Sequence, residues 1–166
     1  MATLTSKQKE ARVIAYYFVR KNLEDKKGLD NKKMQKLLYY AQAWNLVFNK
    51  APLFKDKIEA WIHGPAIPEM YRLFKNFDFN NPPAEVLKEN LNVFDAKEKK
   101  VLKSVWETYG KFDGDYLEIL THNELPWQEA RKGLSSLDPS KNIISEERMV
   151  EYYEQKLAES DKDNKK

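Results

Sequence analysis

Two imidazoles, His63 and His122, are the only side chains in the chain whose ordinary titration falls near neutral pH. Nucleophilic hydrolysis needs a Ser or Thr beside such a base and an acid to orient it; neither histidine lies near a G-x-S-x-G turn, and that motif is absent. His63 precedes Gly64-Pro65 and reads as a hairpin-end residue bonded to backbone. His122 reads as a helix C-terminal histidine favoured by the local dipole. Zero cysteines exclude disulfides, thiolate zinc sites, iron–sulfur clusters and cysteine nucleophiles. His122-Asn123-Glu124 places two ligand types at i, i+2, with no further ligand spaced to complete a metal site. The pairs Asp113/Asp115 and Glu146/Glu147 fall at a turn and a helix start, where acidic residues have structural reasons to sit. Both glycine-rich phosphate cradles, G-x-G-x-x-G and G-x-x-x-x-G-K-[ST], are absent. The sequence therefore predicts no catalytic residue, no metal and no cofactor.

Aromatic surface, by contrast, is plentiful: 4 Trp, 9 Tyr and 8 Phe in 166 residues. Most must be core, but Trp and Tyr also favour protein interfaces, where they offer large rigid area with a polar handle. The length fits one domain, with enough chain to bury a core unaided by disulfides or metal. With 42% hydrophobic residues and a mean hydropathy of −0.77, the chain is too apolar for disorder and too polar for a membrane protein. No secretory apolar region opens it, so a cytoplasmic location is expected. Charge is uneven. Residues 1–50 carry eleven Lys/Arg against four Asp/Glu, whereas residues 113–166 carry eight against thirteen. The two ends could attract each other within the fold, or the front could present a basic face to an acidic partner. Nucleic-acid binding is a weak alternative. Helices at 113–122 and 126–133 could mimic a helix-turn-helix, but only Gln128, Arg131 and Lys132 could reach base edges from the second.

The elements that must position these groups are mainly helical. Five Gly and seven Pro sit between apolar-periodic segments, as in a compact bundle of six to seven helices with one short hairpin near residues 53–62. The first helix runs from about Thr5 to Leu23, with Thr5 and Gln8 at capping-box spacing. The second starts near Asp30 or Asn31 and carries Met34, Leu37, Leu38, Ala41, Trp44 and Phe48 as its apolar stripe; Tyr40 and Val47 widen it, which predicts a central helix. Leu53-Phe54, a charged turn and Ile58–Ile62 read as the hairpin, closed by His63-Gly64-Pro65. Pro68 suits the first turn of the next helix, and Asp95 with Glu98 a capping box; residues 84–94 are ambiguous. Ser145 can cap the last helix, stapled by Ile144 and Met149. Residues 1–158 read as one domain and 159–166 as a frayed charged tail.

Three stretches together resemble a known family: Lys36-Leu37-Leu38-Tyr39-Tyr40-Ala41-Gln42-Ala43-Trp44; Pro52-Leu53-Phe54 with Ile58 through Tyr71, including Trp61-Ile62-His63-Gly64-Pro65; and Leu120-Thr121-His122 with Pro126-Trp127. Their order and spacing over residues 8–132 are similar to the Panacea domain, which includes SocA-like antitoxins and prophage-associated GepA-like proteins. The resemblance implies a bacterial or prophage source and an antitoxin that neutralises a cognate toxin, encoded by the adjacent gene, by direct contact. It also implies a second partner, a cytosolic protease to which an adaptor delivers the toxin. No enzymatic activity, nucleic-acid partner or membrane is implied; the alternative is a nucleic-acid-binding prophage regulator. Tyr39, Trp61, His63, Pro65, Tyr71, His122 and Trp127 are the motif residues expected at the partner-binding site.

Overall fold

The computed structural model describes residues 9–164. Its helices are α1 (Ala11–Asp25), α2 (Asn31–Asn49), α3 (Pro68–Leu73), α4 (Ala84–Lys88), α5 (Ala96–Tyr109), α6 (Gly114–His122), α7 (Leu125–Ala130) and α8 (Glu146–Asn164). A 3-10 turn covers Leu91–Val93, and β1 (Glu59–Trp61) pairs antiparallel with β2 (Gly64–Ala66). Among the described residues the protein is thus mainly helical with one small hairpin. The eighth helix, α4, forms in the stretch the sequence leaves ambiguous.

Local chemistry accounts for the boundaries. Asp30 starts α2 by accepting from Lys33 N at 2.9 Å, and Asp95 and Glu98 form both halves of a capping box on α5. Pro68 is in the first turn of α3, and Pro126 in that of α7. Thr5 and Gln8 lie outside the described residues. Helix α1 is described from Ala11, whose amide is met by Asp56 Oδ1 at 3.1 Å. Helix α8 continues through Asn164, so the stretch expected to fray from 159 is helical to that point, with every side chain exposed.

Helix α2 is central, packed against α1, α3, α5, α6, α8 and β2. Met34, Leu37, Leu38, Tyr40 and Ala41 are fully buried, and Tyr40 stacks on Tyr109 with ring centroids 3.9 Å apart. The stripe outruns the body at its end: Phe48, expected inside, is 54% exposed. Five polar side chains of α2 are also buried, namely Lys33, Gln35, Lys36, Gln42 and Asn45. Each meets backbone or a neighbouring side chain. Gln42 Oε1 accepts from Leu53 N at 2.8 Å and Phe54 N at 3.3 Å, while its Nε2 donates to Phe54 O at 2.8 Å.

That glutamine explains a correction. The sequence places the hairpin near 53–62, but its strands are 59–61 and 64–66, with Ala60 opposite Pro65 and Trp61 opposite Gly64. Leu53-Phe54 is satisfied by Gln42 and by a single bridge from Phe54 to Lys9, leaving it no strand to pair with in the hairpin. His63-Gly64-Pro65 does not end the hairpin; it turns the chain and begins β2. Pro65 is tolerated there because a two-stranded sheet has edges where no amide is required.

Replacing Gln42 with Leu keeps the volume but leaves two amides and a carbonyl buried without partners. We expect a loss of about 2 kcal/mol or more, read as a lower urea midpoint with an unchanged slope. Unchanged stability would show that the Leu53-Phe54 backbone finds other partners.

Candidate functional site

Most of the motif residues converge on the hairpin and the helices beneath it. Gly64 takes the reversal at φ +108°, a conformation that favours glycine. A Cβ there would lie 2.5 Å from Lys36 Cε and 3.0 Å from Thr121 Oγ1, so the hairpin sits directly on α2 and α6. Gln35 Oε1 accepts from Ile67 N at 2.9 Å and Lys36 Nζ donates to Pro65 O at 3.2 Å, fixing β2 from below. Trp127 Nε1 donates to Trp61 O at 2.8 Å, and the Trp127 ring stacks on His122 at 4.0 Å. Arg131, the residue that follows α7, reaches Ala60 O through Nη1 at 3.0 Å and Ser135 O and Asp138 O through Nη2, so it holds β1 from the other side.

What this scaffold displays is small and aromatic. Trp61 is half-buried and edge-on to Tyr71, with centroids 5.3 Å apart; Tyr71 is exposed. His63 is exposed at the tip, its Nδ1 3.2 Å from Glu118 Oε2, so it meets a carboxylate and not the backbone contact expected from sequence. A groove of about 610 Å³ on one side of Trp61 and His63 includes Lys32, Tyr71 and Lys75. A second, of about 780 Å³, includes Pro68, Arg72 and Lys141. Tyr39 and Pro65 lie inside. The Tyr39 hydroxyl is 3.0 Å from that of Tyr153, which is also 3.0 Å from Glu124 Oε1; Tyr40 donates to the same oxygen at 2.6 Å. His122 and Trp127 form the support behind Trp61. Of the seven motif residues, Trp61, His63 and Tyr71 share the outer face, Pro65, His122 and Trp127 lie beneath or behind it, and Tyr39 is buried apart from it beside Tyr153.

The electrostatics beneath the hairpin are unusual. Burial pushes the Lys36 ammonium down to about 7, against the attraction of Glu118 and Asp30 and with the repulsion of Lys32. Burial alone would raise Glu118, but hydrogen bonds from Lys32 and His63 hold it below the ordinary carboxylate range. Burial also lowers His122, whose Nε2 is enclosed without a partner among the described residues. Burial raises Glu124, with the Tyr40 and Tyr153 hydroxyls acting against that rise. No group of three or more His, Cys, Asp or Glu able to hold a metal occurs among the described residues. Of the three residues that could read bases, Arg131 holds backbone and Gln128 Nε2 donates to His122 O at 2.7 Å, which leaves Lys132 exposed. No helix among the described residues is long and apolar enough to cross a membrane.

These features define a helical domain whose buried polar side chains carry a short hairpin, with an aromatic pair on its outer face among exposed cations. The model of the antitoxin SocA-like family, Panacea domain, matches residues 34–128, more than half of the chain, and the protein belongs to that family. The matched segment begins within α2 and runs through the hairpin to α7. No curated protein and no solved structure matches the chain.

The buried lysine gives a pH dependence whose sign is fixed. Unfolded, Lys36 holds its proton up to its ordinary 10.5; folded, it releases it near 7. The unfolded state binds more protons between those values, so stability rises with pH across that window, by up to about 1.4 kcal/mol per unit. Lys33, also lowered by burial, acts in the same direction. Lys36→Met should remove its own part of the slope, measured as the change in urea unfolding free energy between about pH 7 and about pH 9. Equal slopes in the two proteins would refute the assignment.

Proposed function

We propose that the protein is an antitoxin that neutralises a cognate toxin by direct protein–protein contact, and that the contact is made by the outer face of Trp61, His63 and Tyr71. Membership of the SocA-like family carries the antitoxin reading and supports a non-enzymatic role. The choice of face rests on physical grounds. Within the matched segment, the outer hairpin offers an aromatic pair beside two grooves, and rigid half-exposed aromatics contribute strongly to binding when a partner encloses them. Its backing by Trp127, His122, Lys36 and Gln35 leaves little ordering cost on association, since the groups that would contact a toxin are already held. The toxin is expected from the adjacent gene and the encounter in the cytoplasm. Delivery of the captured toxin to a cytosolic protease would require a second surface, left free while the hairpin is engaged.

Co-expression with the adjacent gene product should restore growth, and the two proteins should co-purify. The double substitution Trp61→Ala with Tyr71→Ala should weaken that complex by about tenfold to a hundredfold, the range expected for losing two aromatic anchors, with an unchanged far-ultraviolet circular dichroism spectrum. Rescue and affinity both unchanged would move the contact to another face. Failure of any neighbouring product to bind the unaltered protein would refute the antitoxin reading.

A further inference from the structure

A second exposed apolar surface lies toward the far end of α2, about 18 Å along the axis from Lys36 at 1.5 Å per residue to Phe48. There α2, α5 and α8 leave a cleft of about 500 Å³. Its floor is aromatic and aliphatic: Trp44 stacks on Phe48 at 5.6 Å, and Val101, Val105, Tyr109 and Leu157 complete it. The floor's ring polar atoms are paired with each other, since Trp44 Nε1 donates to Tyr109 Oη at 2.8 Å. An occupant therefore meets a surface that asks for apolar groups. Phe48 is 54% exposed although it belongs to a stripe that is otherwise buried or half-buried, so the core's own hydrophobic seam continues into solvent at this point.

The edge of the cleft has one sign of charge. Lys97 and Lys100 are its only charged lining residues, and among the described residues neither has an ion-pair partner. Three carboxylates of α5 and α8 belong to other pairs. Glu98 is buried with Lys9 and the α5 cap, Glu107 faces Lys103 at 4.0 Å, and Glu154 meets Lys50 at 2.8 Å. Along α5 the cleft runs from Lys97 to Tyr109, which is about 18 Å, or the length of about three helical turns.

We propose that this cleft is a docking groove for a short acidic amphipathic helix of a partner protein. Its apolar residues, at i, i+3 or i+4 and i+7, would seat against Trp44, Phe48 and Tyr109, and its carboxylates would lie over Lys97 and Lys100. The occupant is acidic because two unpaired ammonium groups border the groove and no carboxylate lines it. It is a helix because the lining residues recur along α5 over about three turns and all come from helices, whose backbone groups are bonded internally and offer no edge to an added strand. The inference is independent of the toxin contact at the hairpin, since the two surfaces share no lining residue.

The test uses the full chain and three labelled synthetic peptides of about twelve residues, the length of the groove. One has Leu and Phe at the i, i+3/i+4, i+7 positions with Glu elsewhere, one is its scrambled isomer, and one replaces each Glu by Lys. Fluorescence anisotropy should show saturable binding of the first, about tenfold or more weaker binding of the scrambled peptide and none of the basic one, with affinity falling as salt rises. Phe48→Glu should abolish binding, and Lys97→Glu with Lys100→Glu should lower it for the acidic peptide and raise it for the basic one. Lys97 and Lys100 are exposed, so their double variant should keep the parent's melting temperature and tests the groove even where Phe48→Glu, which loses the Trp44 stack, lowers it. No saturable binding of the acidic peptide, equal binding of its scrambled form, or binding indifferent to Phe48→Glu would overturn the proposal. So would concentration-dependent dimerisation through this face, or capture of anionic lipid vesicles in place of the peptide.

Discussion

Over residues 33–43 helix α2 touches protein on all sides, and a helix so placed cannot keep its polar side chains in water. It carries five of them inside, and each bridges α2 to something it does not contain. Lys33 holds the carbonyls of Gly28 and Gly110, Gln35 holds Ile67 N, Lys36 holds Pro65 O, Gln42 holds Leu53-Phe54, and Asn45 Nδ2 donates to Ala51 O. A buried backbone group without a partner costs about 1–3 kcal/mol, so the non-helical segments around α2 have few other places to lie. The hydrophobic stripe says that α2 is central; the polar set decides where the loops go. The short hairpin, marginal alone, has a fixed position for this reason.

This division explains what could be read from the amino acids. Helix starts were legible because their chemistry is local: Asp30 is three residues from the amide it accepts, and the Asp95–Glu98 pair closes within one turn. Long-range polar partnerships leave no such trace. Lys36 and Gln42 look like solvated positions on an amphipathic helix, and only the packed structure shows them beneath the hairpin and the Leu53-Phe54 loop. The hairpin was misplaced by the same blindness. Leu53-Phe54 has the composition of a strand, and a glutamine twelve residues from Phe54 gives it a different partner. Gly64-Pro65 has the composition of a terminator, whereas the positive φ of Gly64 lets it open β2.

Of the motif residues, type alone could not separate support from display. Tyr39 and Tyr71 are the same amino acid in the same family pattern. One is enclosed beside Tyr153 near Glu124, and the other stands open beside Trp61. Phe48 shows the reverse error: periodicity assigned it to the interior because the helix continues past the body that covers it. The aromatic wealth of the chain therefore divides into an internal tyrosine–glutamate network joining α2, α7 and α8, and two outer surfaces near opposite ends of α2.

The segment after α7 closes the outer side of the hairpin. Ala60 N donates to Asn142 O at 2.8 Å and Ile144 N to Ile58 O at 2.8 Å, while on β2 Pro65 has no amide and its carbonyl is held by Lys36. Neither margin of this miniature sheet is left as a template for another chain, a hazard that open strand edges ordinarily carry. Copies of the protein thus have no ladder by which to polymerise through the hairpin. Any molecule recognised there must be read by the shapes and charges of side chains, and selectivity can change by substituting two or three of them while the backbone stays as it is.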